Sequence, residues 1–471
     1  MGVSGHDGNP DDTETGMRAD TAHWQERLAE LAAKHDVPGA SLAILADDEL
    51  ATAATGVVNL GTGVQTTADS VFQVGSITKV WTATLIMQLV DEGRLSLDSP
   101  LSQVLPELTL ASPGATSQIT VRNLLSHTSG IDGDLFDDAG RGDDNVERYV
   151  ANCAKLTLLH PPGATMSYCN SGFVIAGRIV ERLTGGTWDE ALRSRLIRPL
   201  GLTRTVTLPA EAIRFRAAYG HQEVDGAWQL APVWSLPGGS GPAGGIVASA
   251  SDIIEFARLH LRGGTTSDGA RLLSAASAEQ MQREQIEVPT YPAGTRHVGL
   301  GWHLHDWDGH RMIAHNGGTI GQYAFLVAFP ERDGAVCLLT NGGQATLLYQ
   351  DLFTEIFSSL WQVPVPPLPE PAAEPPTADA ARYEGRFERE GIRFEVAATE
   401  GGGLAATVTD TGPLADVVPD PVETYALQPV SADAFVGRSK AEEPWMTFIF
   451  YEVEGHGRYL HCGGRATPRR A

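Results

Sequence analysis

Two side chains three residues apart, Ser76 and Lys79, carry the first chemical suggestion in this chain. They sit in Gly75-Ser76-Ile77-Thr78-Lys79, directly after the apolar run Val71-Phe72-Gln73-Val74 and at the head of a strongly helical stretch, Ser76 to Asp91. At that spacing the two share one face of a helix. A serine hydroxyl is a poor nucleophile until a base takes its proton. Lysine can be that base only when burial or nearby positive charge pulls its pKa far down, and arginine cannot replace it. The chain holds only four lysines (Lys34, Lys79, Lys155 and Lys440) among 34 basic residues, so a lysine kept at this place is informative. A helix start also offers backbone N–H groups to a developing oxyanion. Taken alone, the pair is equally compatible with a capped helix and an exposed lysine.

A second cluster is Tyr168-Cys169-Asn170, followed by an apolar helix from Phe173. Tyrosine can relay a proton once positive neighbours lower its pKa, and asparagine can bind a substrate amide. Cys169, in the middle, reads as a small buried residue and not as a second nucleophile. The third cluster is His315-Asn316-Gly317-Gly318, at the end of a short strand, Met312 to His315. Glycines at a strand edge let a substrate backbone approach, and their N–H groups can complete an oxyanion hole. Each of these two also has a plain structural reading: a packed loop tyrosine with a helix-capping asparagine, and a Gly-rich turn. His127 is tempting as a base, but beside Thr128-Ser129-Gly130 it has a loop to hold, and a structural role is the expectation.

The three clusters occur in the order S-x-x-K, Y-x-N, H-x-G. This arrangement resembles the serine β-lactamase and penicillin-binding-protein family, in the branch of class C β-lactamases, D-aminopeptidases and family VIII esterases. In that branch tyrosine replaces serine in the second motif, and histidine often replaces lysine in the third. Val37-Pro38-Gly39-Ala40, Leu124 to Gly130, Pro242-Ala243-Gly244-Gly245 and Gly299-Leu300-Gly301-Trp302 look like the same family, so the resemblance covers about residues 22 to 360. It implies Ser76 as the acylated nucleophile, with Lys79 and Tyr168 sharing proton transfer. It implies Asn170 as a substrate-side hydrogen-bonding group and His315 at the third-motif position. The oxyanion hole would use the N–H groups of Ser76 and Gly318, with Gly317 beside them. A histidine can be neutral at pH 7, which weakens recognition of a β-lactam carboxylate.

The elements that must position these residues are legible from periodicity. His23 to Lys34 is an amphipathic helix, Ala40–Leu45 and Leu50–Val58 are strands around Asp47-Asp48, and Asp98 to about Leu200 is mostly helix and loop. Strands are expected at Gly299–His305, Met312–His315, Tyr323–Phe329 and Ala335–Thr340, the last two joined by the turn 330–334, before a helix from Leu347 to Leu360. Val363 to Pro376 holds seven prolines among fourteen residues and reads as a stiff linker. After it, six short alternating segments between Tyr383 and His461 read as a small all-β, barrel-like module. It resembles the lipocalin-like domains appended to some D-aminopeptidases and to penicillin-binding-protein-type peptide cyclases.

The expected fold is therefore α+β: an antiparallel sheet flanked by helices plus a helical lobe, then a β barrel. The expected division is a disordered polar tail (1–20), a catalytic domain (21–362), a linker (363–378) and the β domain (379–471). A net charge of −24 and a pI near 4.9 disfavour nucleic acid and anionic membranes as partners. There is no signal-peptide pattern and no apolar run of transmembrane length, which makes a cytoplasmic location the expectation. Four scattered cysteines and the absence of HExxH, P-loop or dinucleotide fingerprints imply no metal and no cofactor. The expected function is a serine hydrolase that forms an acyl-enzyme on Ser76 from an ester or amide, D-amino acid-containing peptides included. The alternatives are a peptide cyclase or transacylase that passes the acyl group to an amine, a β-lactamase, and a non-catalytic sensor that kept the fold. Oligomeric state is open.

Overall fold

The computed structural model describes residues 20–470 apart from 136, 291–294, 378, 413–414 and 416–419. The expected tail lies outside the described residues except Asp20, whose carboxylate accepts from Ala22 N and caps the first helix, α1 (Thr21–Lys34). Trp24, Leu28 and Leu31 fall on one buried face of α1, as their spacing requires.

A nine-stranded antiparallel sheet organises residues 39–340. Its strands in chain order are β1 (Gly39–Ala46), β2 (Glu49–Asn59), β3 (Val64–Gln65), β4 (Ile286–Glu287), β5 (His297–Val298), β6 (His303–Trp307), β7 (His310–Gly318), β8 (Tyr323–Phe329) and β9 (Gly334–Thr340). The spatial order is β3-β2-β1-β9-β8-β7-β6-β5-β4. Strand β1 is buried along its whole length because it feeds two cores. Leu42 and Ile44 point to one side, against α1 and the closing helix α5 (Ala345–Trp361). Ala43 and Leu45 point to the other, where α2 (Thr78–Asp91), α3 (Asn170–Thr184) and α4 (Ala250–Leu261) pack. Period-two alternation thus yields a helix–sheet–helix sandwich. The β8–β9 hairpin is paired from Tyr323↔Thr340 to Phe329↔Gly334 around the expected turn.

Two expectations about strands are corrected. Gly299–His305 is not one strand: Gly299 to Trp302 is a turn, with Gly301 at φ +84 and room for no side chain, since a Cβ there would lie 2.8 Å from Ala83 Cβ. The strand expected to end at His315 runs on through Gly318, so Gly317 and Gly318 are strand residues paired with Ala324 and Tyr323.

The C-terminal module is a closed eight-stranded barrel: β10 (Gly385–Arg389), β11 (Ile392–Ala398), β12 (Leu404–Asp410), β13 (Val422–Pro429), β14 (Ala434–Gly437), β15 (Met446–Val453), β16 (Gly457–Cys462) and β17 (Arg465–Arg470). Tyr383, Phe387, Phe394, Phe435, Phe448 and Phe450 belong to one buried cluster, so aromatic side chains fill its core. The expected segments omit β14 and β17. The first is only four residues long, and the second, Arg465-Ala466-Thr467-Pro468-Arg469-Arg470, looks like a basic tail. It becomes a strand by closing the barrel between β16 and β10. The Pro-rich segment is not free: Val363 and Val365 are buried with α1 and α5, and Gln350 donates to Pro366 O.

Candidate active site

Ser76 lies on a tight turn of 3-10 helix, Gly75–Ile77, that leads straight into α2. The turn is pressed against β7. A Cβ on Gly317 would stand 1.9 Å from Val74 O and 3.0 Å from Ser76 N, and one on Gly75, at φ +52, would stand 2.8 Å from Gly318 N. Glycine at 75 and 317 is what lets the serine-bearing turn and the strand touch. The same contact brings the Ser76 and Gly318 amides to one junction.

Lys79 is wholly buried, with Nζ 3.0 Å from Ser76 Oγ and donating to Ala243 O at 2.7 Å. That carbonyl is held by the Pro242–Gly245 segment, which is fastened to α2: Thr82 donates to Pro242 O at 2.7 Å, and Ile246 N donates to Thr78 Oγ1 at 3.1 Å. The rings of Tyr168 and Phe173 lie 4.8 and 5.9 Å from Nζ. Burial, and secondarily the charge of Arg465, hold the Lys79 amine well below its usual pKa, against a smaller opposing pull from Asp134. A neutral amine beside the hydroxyl is the state a proton acceptor needs.

The Tyr168 hydroxyl is buried and faces Ser76 without a well-aligned hydrogen bond. The expectation that positive neighbours lower its pKa is reversed. Burial pushes the phenol up and outweighs the opposing pull of Ser76 and Arg465, so it is a proton donor at neutral pH. Asn170 opens α3, and its Nδ2 donates to Asp134 Oδ1 at 2.7 Å. The cap of α3 is Cys169, whose Sγ accepts from Gly172 N at 3.2 Å and whose thiol is pushed up to about 12 by burial. That is an inert sulfur.

His315 is 1% exposed. Its Nδ1 is 2.7 Å from Asn316 O, which can only accept, so Nδ1 carries the proton and Nε2 is left as a buried acceptor with no partner among the described residues. Burial, with Lys79 next, takes its pKa down to about 3. The third-motif position therefore supplies no positive charge near neutrality. His127 is structural in a way its loop did not suggest. It accepts from Cys169 N at 3.0 Å, its carbonyl accepts from Ser167 N, and its ring stacks on Tyr168 at 4.2 Å. It holds the segment that carries the tyrosine.

Ser76, Tyr168, Asn170, His315, Gly317 and Gly318 all line one cavity of about 700 Å³, with Lys79 behind Ser76. Its apolar wall includes Met166, Leu236, Val288, Ile320 and Phe325. Sequence reasoning missed two contributors. His303 lines the cavity and stacks on His315 at 4.4 Å, but nothing in the stretch after Trp302 marks it. Arg465 reaches in from the barrel on the Gly463-Gly464 turn, with its guanidinium 4.8 Å from the Tyr168 ring centre. One arginine among thirty, in a segment that reads as a tail, gives no sequence signal. Among the described residues, no group of three or more His, Cys, Asp or Glu side chains is arranged to hold a metal ion.

The Beta-lactamase family model matches residues 24–360. The chain belongs to this family. It is similar to "Penicillin-binding protein 4" of Amycolatopsis lactamdurans, with 48% identity over 80% of this chain and 99% of that one. Among solved structures, SurE aligns with TM-score 0.78 and 29% identity over 96% of this chain and 99% of its own, barrel included. The D-amino acid amidase of Ochrobactrum anthropi SV3, complexed with L-phenylalanine amide, aligns with TM-score 0.59 and 25% identity over 69% of this chain and 92% of its own. Membership in this penicillin-binding-protein and β-lactamase group of serine hydrolases supports a hydrolase-type activity in general. Among the described residues, no helix is long and apolar enough to cross a membrane.

Proposed function

We propose that this protein is a serine acyl-transfer hydrolase that forms a covalent acyl-enzyme on Ser76 from ester or amide donors, peptides with a D-residue among them. The observation that carries the reading is the buried Lys79 amine 3.0 Å from Ser76 Oγ, with no carboxylate among its hydrogen-bond partners in the described residues. In this reading Lys79 takes the Ser76 proton as Oγ attacks the donor carbonyl. The oxyanion is received by the N–H groups of Ser76 and Gly318. Tyr168 gives its proton to the departing alkoxide or amine, and Arg465 over its ring steadies the phenolate left behind. A proton passed from Lys79 to Tyr168 then returns both groups to their starting protonation states, with Ser76 still acylated until water or an amine takes the acyl group. Asn170 engages the amide of the acyl group, and His315 offers Nε2 as an acceptor to substrate or acceptor N–H groups. Support for a D-residue comes from similarity alone: SurE was solved with D-Leu, and another neighbour is a D-amino acid amidase.

A second reading, transfer of the acyl group to an amine, is favoured by the barrel. Gly463, Gly464 and Arg465 wall the cavity of about 700 Å³, which leaves room for a bound acceptor beside the acyl chain. At the third-motif position a β-lactam carboxylate would meet a neutral His315, which leaves the barrel's Arg465, already paired with Asp134, as the cation lining the cavity among the described residues. The test is product analysis with a peptidyl thioester that carries a free amine. Linear acid alone assigns hydrolysis, and cyclic or aminolysed product assigns transfer. An unchanged thioester with unmodified Ser76 rejects both.

A further inference from the structure

Asp134 is a buried carboxylate that no sequence motif marks and that none of the catalytic steps above uses. Its side chain is 11% exposed and accepts from four donors. Oδ1 takes Asn170 Nδ2 at 2.7 Å and Arg465 Nη2 at 3.2 Å, while Oδ2 takes Arg465 Nε at 3.0 Å and Arg389 Nη1 at 2.7 Å. Two of the three partner residues come from the barrel, at the end of β10 and the start of β17, and the third is in the candidate site. The surrounding loop is gripped from both sides. Gly133 O accepts from Ser171 N at 2.9 Å at the start of α3, and the neighbouring Asp132 Oδ2 accepts from Glu390 N at 2.8 Å. Burial pulls the Asp134 carboxyl up, but Arg465 and Arg389 outweigh it and bring it down to about 2, so it is ionised at every working pH.

An ionised carboxylate can only accept. It therefore fixes which end of the Asn170 amide faces it: Nδ2 must point to Asp134, and the carbonyl oxygen must point away. Asn170 lines the cavity, so that oxygen is the end left for substrate. The acceptor it presents suits a donor with an N–H on its acyl side, as in an N-acylated aminoacyl group. A simple alkanoyl ester has nothing to offer it.

We propose that Asp134 is the positioning residue through which the docked barrel holds the Asn170 amide with its oxygen toward an acyl-side N–H, so that barrel docking sets the preference for peptide-like donors. This rests on the reading of Ser76 as the acylated nucleophile. It makes the barrel a working part of the cleft and not an attachment.

The test compares the full-length wild type with Asp134→Asn, Asn170→Ala and the double variant on two p-nitrophenyl esters, N-acetylalanyl and butyryl, with intact mass on Ser76. Asparagine at 134 can donate, so the Asn170 amide is free to turn over. Loss of a hydrogen bond of this kind should lower kcat/KM for the N-acetylalanyl ester about 10-fold and change the butyryl ester less than about 3-fold. In the Asn170→Ala background the same change at 134 should have almost no further effect on either ester. Equal loss on both esters, or an undiminished effect without Asn170, overturns the proposal. If circular dichroism shows Asp134→Asn unfolded, Arg389→Gln takes its place. It removes one barrel donor outside the cavity and should give the same selective loss at smaller size; no selectivity there overturns the proposal too. Acylation of wild-type Ser76 by either ester keeps the general reading standing whatever the variants do, and its absence with both removes the two together.

Discussion

Removing one oxygen atom, in Tyr168→Phe, separates two roles that this tyrosine could play. Its hydroxyl has no aligned hydrogen-bond partner among the described residues, so its removal leaves no buried group newly unpaired. The ring keeps its stack on His127 at 4.2 Å and its contact with Arg465 at 4.8 Å. Stability should change by less than about 1 kcal/mol, a melting shift of a few degrees at most. The chemistry should change unevenly. Burial keeps the phenol protonated, which makes it a general acid for the leaving group. An amine leaving group needs that proton; a p-nitrophenolate does not. General acid catalysis contributes about 100- to 10,000-fold, or roughly 3 to 5 kcal/mol of barrier lowering at about 1.36 kcal/mol per decade. The expected loss in kcat/KM is of that size for a D-aminoacyl amide and less than about 10-fold for the matching p-nitrophenyl ester. Parallel rates on the two substrates measure the ratio directly. Equal losses would mean that Tyr168 acts on the nucleophile and not on the leaving group, and would refute the assignment of the acid role to a protonated phenol.

Three further outcomes are expected from the same geometry. Lys79→Arg keeps a cation but no proton acceptor, so acylation should fall by about 100-fold or more in single-turnover assays, and activity near that of the wild type would exclude Lys79 as the base. Gly317→Ala drives a Cβ to 1.9 Å from Val74 O, whereas Gly318→Ala meets nothing closer than Tyr323 Cδ1 at 3.9 Å. The first should displace the Ser76 turn and cost about 100-fold in kcat, the scale of one oxyanion donor, while the second should stay within about 10-fold; equal rates for the two variants would count against the crossing as the device that sets the turn. Asp132 is half of the buried acidic pair under the barrel, and burial raises its pKa from 3.8 to about 6. A raised carboxyl contributes stability below its unfolded pKa that is lost as pH rises through the folded one, so at about pH 8 the cost is at most about 3 kcal/mol. The difference in melting temperature between Asp132→Asn and wild type should therefore move in favour of the variant from about pH 4 to about pH 8, and a pH-independent difference would contradict the buried, reluctant carboxylate.

The Ser76–Lys79 contact was legible in the sequence because it is local. The two residues need only a helix turn between them, whereas Gly317 and Gly318 read only as room for a substrate backbone, and their crossing with the Ser76 turn emerges in the structure. The sheet was legible from the short, near-continuous apolar runs of β1, β8 and β9, bounded by turn residues and buried on both faces. What stayed hidden depends on contacts across the chain. Tyr459 donates to Leu159 O at 2.6 Å, and Tyr168 N donates to Gly464 O at 2.9 Å, joining barrel to cleft across a sequence separation of 300 residues in the first case. Neither contact leaves a periodicity or a motif. The state of Tyr168 was misjudged for the same reason: a nearby cation can be expected in sequence terms, but the burial that outweighs it exists only once the lobes, β7 and the barrel have closed around the ring.

Whether Ser76 becomes acylated is the measurement that bears most directly on the proposed chemistry. The purified chain is incubated with p-nitrophenyl esters, D-aminoacyl amides and a fluorophosphonate, quenched in acid, and its intact mass and peptide map are recorded. The expected result is a single adduct on each chain, at Ser76, absent from Ser76→Ala and strongly slowed in Lys79→Arg. No adduct with any donor, or an adduct that persists at equal yield in Ser76→Ala, would contradict it.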